Sequence, residues 1–101
     1  MANAYNTTLV NVTTTGSDVV VFASSAKTIV RDVMIYARGT TPTVSVLYND
    51  RTSVLIVAKE TMTTDATLRP FTAPLSMPSA HEIKINTSAE VNVLITYVEF
   101  S

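Results

Sequence analysis

The sequence predicts an all-β fold, a single-domain antiparallel β-sandwich of about eight strands that is either jelly-roll or immunoglobulin-like. Three observations support this prediction. Thr occupies 17 of the 101 positions, and Val and Ile are also frequent; these β-branched side chains suit a pleated sheet better than a helix. Short apolar runs alternate with turn residues at short intervals, as they do in sandwiches and barrels. No segment keeps apolar residues at the three- and four-residue spacing of a helix.

Eight runs have the composition of strands, and each ends in polar or turn-forming residues. The two glycines of the chain, Gly16 and Gly39, follow the first and third runs, where glycine supplies the positive φ of a tight turn. Asn49 and Asp50 separate the fourth and fifth runs and predict a hairpin, because short polar side chains bond the backbone of their own turn. The predicted strands are residues 5–13, 19–23, 28–38, 43–48, 53–60, 66–69, 81–86 and 90–100.

Length and composition limit the kind of protein. We expect one domain over residues 1–101, in which residues 1–7 either begin an edge strand or form an arm that reaches a neighbouring subunit. Seven basic and eight acidic side chains give a net charge of −1, which provides no field to attract nucleic acid or an anionic membrane. The chain has no cysteine, no signal peptide is visible, and no apolar run approaches the roughly 18 residues of a membrane span. We therefore expect neither nucleic acid nor membrane as a partner.

Side chains that perform catalysis or bind metals are few and scattered. His81 is the only histidine, and in a strand its neighbour Glu82 would point to the opposite face, so the two cannot form an acid/base pair. The eight carboxylates lie singly along the sequence, whereas a metal site needs several converging ligands. Two glycines cannot build a glycine-rich phosphate loop. We expect a protein that is not an enzyme and has no catalytic residue, metal, cofactor or small-molecule substrate.

The third, fifth and last predicted strands carry apolar side chains on both faces. In the last strand, strict alternation places Ile95 on one face and Leu94 and Val98 on the other. In the third strand, it places Val30 on the same face as Met34. A two-layer sandwich has one interior, so the second faces need cover from elsewhere. We expect another subunit to supply that cover.

A proline-containing stretch, residues 69–80, adds further apolar side chains to this predicted contact surface. Pro70, Pro74 and Pro78 recur every four residues in it and stiffen the backbone. The stretch is either a crossover that packs its own apolar residues against the sandwich or a rigid docking arm, whose stiffness reduces the entropy lost on binding. The predicted interface residues are Val30, Met34, Tyr36, Leu55, Val57, Phe71, Leu75, Met77, Leu94, Val98 and Phe100.

The order of the segments also carries information. The chain reads "AKTIVRDVMIYA", "PTVSVLY", "SVLIVAKETM", a proline-containing connection, "HEIKINTS" and a closing "VNVLITYVEF". This order, which spans nearly the whole chain, resembles small virion structural proteins of tailed bacteriophages, of the capsid decoration or cement type or the tail-associated β-sandwich type. One departure is "PSAHE" at residues 78–82, where such proteins often carry a glycine-containing turn. The resemblance implies a β-sandwich that binds other virion proteins and has no catalytic residues.

Together these observations predict a non-enzymatic viral structural protein. We expect a capsid cement or decoration protein on the outer surface of a bacteriophage head, which binds the major capsid protein or another virion protein and its own copies, as a homo-oligomer for which a trimer is favoured. A tail or fibre subunit is the alternative within the same class. A carbohydrate-binding, adhesin-like module is the alternative from another class. Tyr and Phe exposed together in a groove would favour sugar binding, whereas rings buried at subunit contacts would favour a cement protein.

Overall fold

The computed structural model describes residues 3–100, which form two antiparallel sheets without a helix in that range. The strands in the described range are β1 (Asn3–Val12), β2 (Val19–Ala23), β3 (Thr28–Tyr36), β4 (Thr43–Asn49), β5 (Val54–Thr61), β6 (Thr67–Leu68), β7 (Leu75–Met77), β8 (Glu82–Thr87) and β9 (Val91–Phe100). The predicted all-β antiparallel sandwich is therefore confirmed. The predicted strands agree with the observed ones within a few residues, apart from β7.

The strand pairing identifies the sandwich as a jelly roll. One sheet has the order β1-β9-β3-β6, with β7 also paired to β3, and the other has the order β2-β8-β4-β5. The pairs are nested along the chain: β1 with β9, β2 with β8, β3 with β6 and β7, and β4 with β5. A long hairpin rolled over on itself produces this nesting. An immunoglobulin-like sandwich has a different strand order, so the structure decides between the two predicted topologies.

Strands β6 and β7 occupy one position of the jelly roll between them. Both pair with the same strand, β6 at Ile35 and Tyr36 and β7 at residues 28–30. The backbone that joins them contains Pro70 and Pro74, which have no N–H to donate to a ladder. The prediction that residues 69–80 contain no strand is therefore wrong only at Leu75–Met77, where the proline spacing leaves room for a short pairing.

The N-terminal segment is an edge strand and not an arm over its described part. β1 pairs with β9 from Asn3, opposite Phe100, to Val12, opposite Val91. Residues 1 and 2 lie outside the described residues. β9 therefore lies between β1 and β3 in the middle of its sheet. The side chains of these two neighbouring strands account for much of the burial of β9.

The core lies between the two sheets and is almost entirely aliphatic. In β8 the buried residues alternate strictly, and in β9 they alternate from Val91 to Ile95, with Val93 and Ile95 in one core cluster with Ile83 and Ile85. Among the described residues no buried side-chain nitrogen or oxygen lacks a hydrogen-bond partner. The interior is therefore held by apolar packing, and its few polar groups are satisfied.

A β-bulge in β3 changes which of its side chains face the core. The pairing with β9 shifts between Val30, opposite Tyr97, and Asp32, opposite Thr96, which leaves Arg31 as the extra residue. Beyond a bulge the alternation changes phase, so Val30 faces the core together with Val33 and is only 2% exposed. The prediction that Val30 shares an outer face with Met34 is wrong, because strict alternation fails at the bulge.

The β4–β5 hairpin forms where Asn49 and Asp50 predict it. The Asp50 carboxylate accepts backbone N–H groups from Thr52 at 2.9 Å and Ser53 at 2.8 Å. These hydrogen bonds hold the pKa of Asp50 below its ordinary value of 3.8, with the charge of His81 adding to the effect.

The lowered pKa of Asp50 predicts a pH-dependent contribution to stability. A carboxylate favoured in the folded state stabilises the protein above its unfolded pKa, and the contribution is lost as the pH falls through its lower folded pKa. We expect wild type to be more stable than Asp50→Asn at pH 7, with the difference closing below pH 3.8. Urea denaturation midpoints from pH 7 to about 2 measure this. A difference that stays constant down to the lowest pH would contradict it.

The turn before β8 contains a non-glycine residue in a backbone conformation that favours glycine. Ala80 has φ of 69° and lies in "PSAHE", the segment where the resembling phage proteins often carry a glycine. A left-handed conformation costs an L-residue roughly 1–2 kcal/mol, and glycine recovers this at an entropy cost of about 0.5–1 kcal/mol.

We therefore expect Ala80→Gly to raise the free energy of unfolding by about 0.5–1 kcal/mol. Chemical denaturation compares it with wild type and with Ala73→Gly, a matched exposed loop position without a positive φ, which we expect to destabilise slightly. Equal losses of stability in the two variants would show that the turn is not strained.

Candidate assembly surfaces

The largest exposed apolar surface is strand β5. This strand lies at the edge of its sheet and pairs only with β4 within the described part of the chain. Its first four residues are exposed on both faces: Val54 by 42%, Leu55 by 65%, Ile56 by 58% and Val57 by 50%. A contiguous apolar patch on a free sheet edge usually marks a contact surface. Leu55 and Val57, two of the predicted interface residues, are thus exposed together with Val54 and Ile56. Leu55 was predicted on the outer face but lies on the core-facing side of its sheet, opposite Tyr48.

A cleft separates β5 from the proline-containing stretch. Leu55 and Val57 line one wall, Phe71 and Leu75 line the other, and Tyr48 lies at the base, enclosing about 190 Å³. Phe71 and Leu75 are half-buried and pack against the core cluster. This packing supports the crossover interpretation of residues 69–80. The two residues remain partly accessible and line the cleft.

The outer face of the other sheet carries a second apolar surface. Leu9 on β1, Leu94 on β9 and Met34 on β3 are cross-strand neighbours in one row, and such neighbours share a face. Leu9 is 72% exposed, and Leu94 and Met34 are half-buried. The predicted outer-face positions of Leu94 and Met34 agree with this placement. Leu9 was not among the predicted interface residues, because only the third, fifth and last strands were predicted to be apolar on both faces.

Two further predicted interface residues are covered within one copy of the chain. Met77 on β7 is fully buried opposite Thr28, because its strand faces the core. Val98 is on the outer face but only 7% exposed, in a row between Tyr5 and Ile29. Met77, like Val30, faces the core, so the prediction that it is an interface residue is wrong. Val98 keeps its predicted outer face, but its neighbours leave it little exposed surface.

Tyr36 is half-buried, and its hydroxyl has a hydrogen-bond partner within the chain. Its hydroxyl donates to the Asp65 carboxylate at 3.0 Å, which also accepts the backbone N–H of Gly39 at 2.9 Å. This hydrogen bond to the carboxylate is the main cause of a raised pKa of Tyr36. The contact fastens the β3–β4 connection to the loop before β6, which is a structural role.

A shallow hollow on the outer face combines aromatic side chains with a cation. It is lined by Tyr5, Phe100, Pro74 and the bulge residue Arg31, together with residues already described. Tyr5 is strongly exposed, and Phe100 is half-buried. The Arg31 side chain has no ion pair within the described residues. One exposed and one half-buried aromatic ring thus line the same depression, and rings grouped in a groove are what the carbohydrate-binding alternative requires.

The acidic side chains are mostly engaged within the chain, and the basic ones are mostly free. Seven of the eight carboxylates accept a hydrogen bond from another described residue, and the exception is Glu60. Of the seven basic side chains, only Arg69 is bonded, at 3.3 Å to Asp32. Arg51, in the turn before β5, is among the free ones. Glu60 and Arg51 therefore leave unpaired opposite charges at the two ends of β5.

The imidazole of His81 contacts Tyr48 and not its sequence neighbour Glu82. Its Nδ1 lies 2.6 Å from the Tyr48 hydroxyl, while Glu82 accepts the Asn49 amide at 2.7 Å and is engaged elsewhere. Within residues 3–100, no three His, Cys, Asp or Glu side chains come together as metal ligands. The same range contains no helix long and apolar enough to cross a membrane.

No protein-family model matches the chain, and no match to a curated protein was found. The chain is similar over its full length to 82% of a chain in the cryo-EM structure of the giant freshwater prawn Macrobrachium rosenbergii extra small virus (XSV) VLP, at 19% identity and a TM-score of 0.41. That neighbour belongs to a virus particle, but not to a bacteriophage. A TM-score of this size does not establish a shared function, and the bacteriophage origin expected from the sequence stays a prediction.

Proposed function

We propose that this chain is a non-enzymatic viral structural protein that works by binding copies of itself and other virion proteins. The observation that carries the proposal is the run of four exposed apolar side chains on the free edge of β5. Complete burial of one Val, Leu or Ile side chain is worth about 1.5–3 kcal/mol. Covering four roughly half-exposed ones is therefore worth several kcal/mol per copy. An assembled state is favoured accordingly.

The finer proposal is a capsid cement or decoration protein on the outside of the particle. The near-neutral net charge of −1 suits a position away from packaged nucleic acid, which attracts strongly basic proteins. Jelly rolls are frequent in viral capsid proteins, although a fold alone does not assign a function. The exposed row that includes Leu9 and Leu94 provides a second contact surface, so one copy has two ways to engage neighbours.

Electron cryo-microscopy of the intact particle tests this proposal. We expect this chain on the outer surface of the particle, with β5 and the row containing Leu9 and Leu94 covered by neighbouring subunits. Mass spectrometry of purified particles establishes whether the chain is present in them. Absence from the particle, or a position with both apolar surfaces facing water, would overturn the proposal. A position in the tail would support the tail or fibre alternative within the same class.

A carbohydrate-binding module is the second candidate, favoured by the hollow that contains Tyr5, Phe100 and Arg31. Aromatic rings stack on sugar faces, and an unpaired guanidinium binds carboxylates, so an acidic sugar is the expected ligand class. Calorimetric titration with acidic and neutral oligosaccharides tests it, with Tyr5→Ala and Arg31→Ala as the variants that should abolish binding. Absence of binding to any oligosaccharide would remove this candidate.

A further inference from the structure

We infer that β5 of one copy pairs antiparallel with β5 of a second copy, around a two-fold axis that passes through Ile56. The two four-stranded sheets would then form one continuous sheet across the dimer, as in other cases of strand addition at a free edge. This inference deepens the proposed function and rests on it, because it names one partner and one contact for the expected self-association.

The edge of β5 lacks most of the devices that normally prevent such pairing. Proteins protect free edges with proline, inward-pointing charges, β-bulges or very short edge strands. β5 is eight residues long and contains no proline, its only charges, Lys59 and Glu60, lie at one end, and its one bulge, at Val57, comes at the end of the apolar half. The apolar half, Val54 to Val57, is unprotected on both faces. A second strand would satisfy the free backbone groups and cover these side chains in one step.

The facing of the side chains favours a register centred on Ile56. In that register Ile56 meets Ile56 of the second copy, and Leu55 meets Val57. Directly opposed residues of an antiparallel pair lie on the same face, and Leu55 and Val57 do line the same cleft. A shift by one residue would place Leu55 opposite Ile56 of the second copy. This register is disfavoured, because Ile56 is paired with Leu47 and lies on the other face of the sheet from Leu55.

The charges at the ends of β5 favour a second copy as the occupant. Pairing around Ile56 brings the end of β5 that carries Glu60 beside the turn of the second copy that carries Arg51, and the two-fold axis repeats this at the other end. Glu60 is the one carboxylate of residues 5–100 without a hydrogen bond, and the Arg51 side chain is also free. The strand is therefore complementary to itself in charge as well as in apolar character.

Disulfide trapping tests the register. The chain has no cysteine, so Ile56→Cys introduces a single thiol at an exposed position. Opposed residues of an antiparallel pair have Cα atoms about 4.5–5.5 Å apart, within the roughly 4.4–6.8 Å that a disulfide needs. We expect mild oxidation to convert most of the protein to a covalent dimer on a non-reducing gel. The matched control is Val20→Cys, which is 44% exposed on β2, the opposite edge strand of the same sheet, and should remain mostly monomeric.

Exchanging the charges of Glu60 and Arg51 tests independently whether a second copy of the chain covers β5. Because each dimer contains the Glu60–Arg51 contact twice, we expect Glu60→Arg to raise the dissociation constant about five- to tenfold. The double variant Arg51→Glu with Glu60→Arg should return it to near the wild-type value. Sedimentation equilibrium gives the constants, and circular dichroism confirms that each variant is folded.

The outcomes separate this inference from the proposed function. Trapping at Ile56 together with rescue by the double variant supports the inference. An oligomeric wild type that is not trapped at Ile56, or that is trapped at Val20 instead, overturns the β5 pairing and leaves the proposed function standing. An unchanged constant for Glu60→Arg also overturns the register. A wild type that stays monomeric at all concentrations overturns both.

Discussion

Ile95→Ala is expected to lower the free energy of unfolding by about 3–4 kcal/mol, a large part of the roughly 5–15 kcal/mol of a typical domain. Ile95 is fully buried and lies between Thr8 of β1 and Val33 of β3 in the middle of its sheet. Removing its side chain leaves a cavity that the close-packed core cannot fill. Urea denaturation measures the loss, and the slope of the free energy of unfolding against urea concentration should stay unchanged.

The matched control is the same chemical change at Ile56. Its side chain is mostly exposed on β5, so Ile56→Ala should change the stability of the isolated monomer by less than about 1 kcal/mol. Both variants are compared at a concentration low enough to dissociate oligomers, because association adds apparent stability. Equal losses at the two positions would contradict the division between a buried core and an exposed assembly edge.

Leu55→Lys is expected to raise the dissociation constant for self-association at least about 100-fold, or about 2.7 kcal/mol, while the fold stays intact. Leu55 is the most exposed apolar residue of β5, so a lysine there is hydrated in the monomer. Covering that charge by a neighbouring subunit removes its water, which costs several kcal/mol.

Light scattering and circular dichroism check the Leu55→Lys result. The control is Thr63→Lys, which adds the same charge at an exposed position just beyond β5. We expect the control to keep the wild-type mass. If Leu55→Lys associates as strongly as the control, β5 is not an assembly surface.

Much of the fold follows from local sequence. The alternation of apolar and polar residues in β8 matches its buried face, and the polar turn at Asn49 and Asp50 predicts the β4–β5 hairpin, because both signals act over a few neighbouring residues. The choice of a jelly roll depends on which distant strands pair. No local pattern encodes that choice.

The candidate surface could be predicted only in part, for the same reason. Apolar residues on both faces occur in β3, β5 and β9, but the strand order decides what happens to them. β9 lies in the middle of a sheet, so Val98 is covered by its neighbours, whereas β5 lies at an edge and stays exposed. The bulge at Arg31 turns Val30 toward the core, and no proline or glycine nearby indicates a bulge in the sequence. The sequence therefore shows that there are more apolar side chains than one core needs, but it does not show where in the fold they stay exposed.

Sedimentation equilibrium of the wild-type chain from about 1 to 100 μM tests the central claim most directly, since this range brackets the micromolar affinity expected for burial worth several kcal/mol per copy. The exposed apolar edge of β5 predicts masses that rise with concentration to a multiple of 10.9 kDa. A mass of 10.9 kDa throughout that range, with the protein remaining fully soluble, would contradict the claim that neighbouring molecules cover this edge.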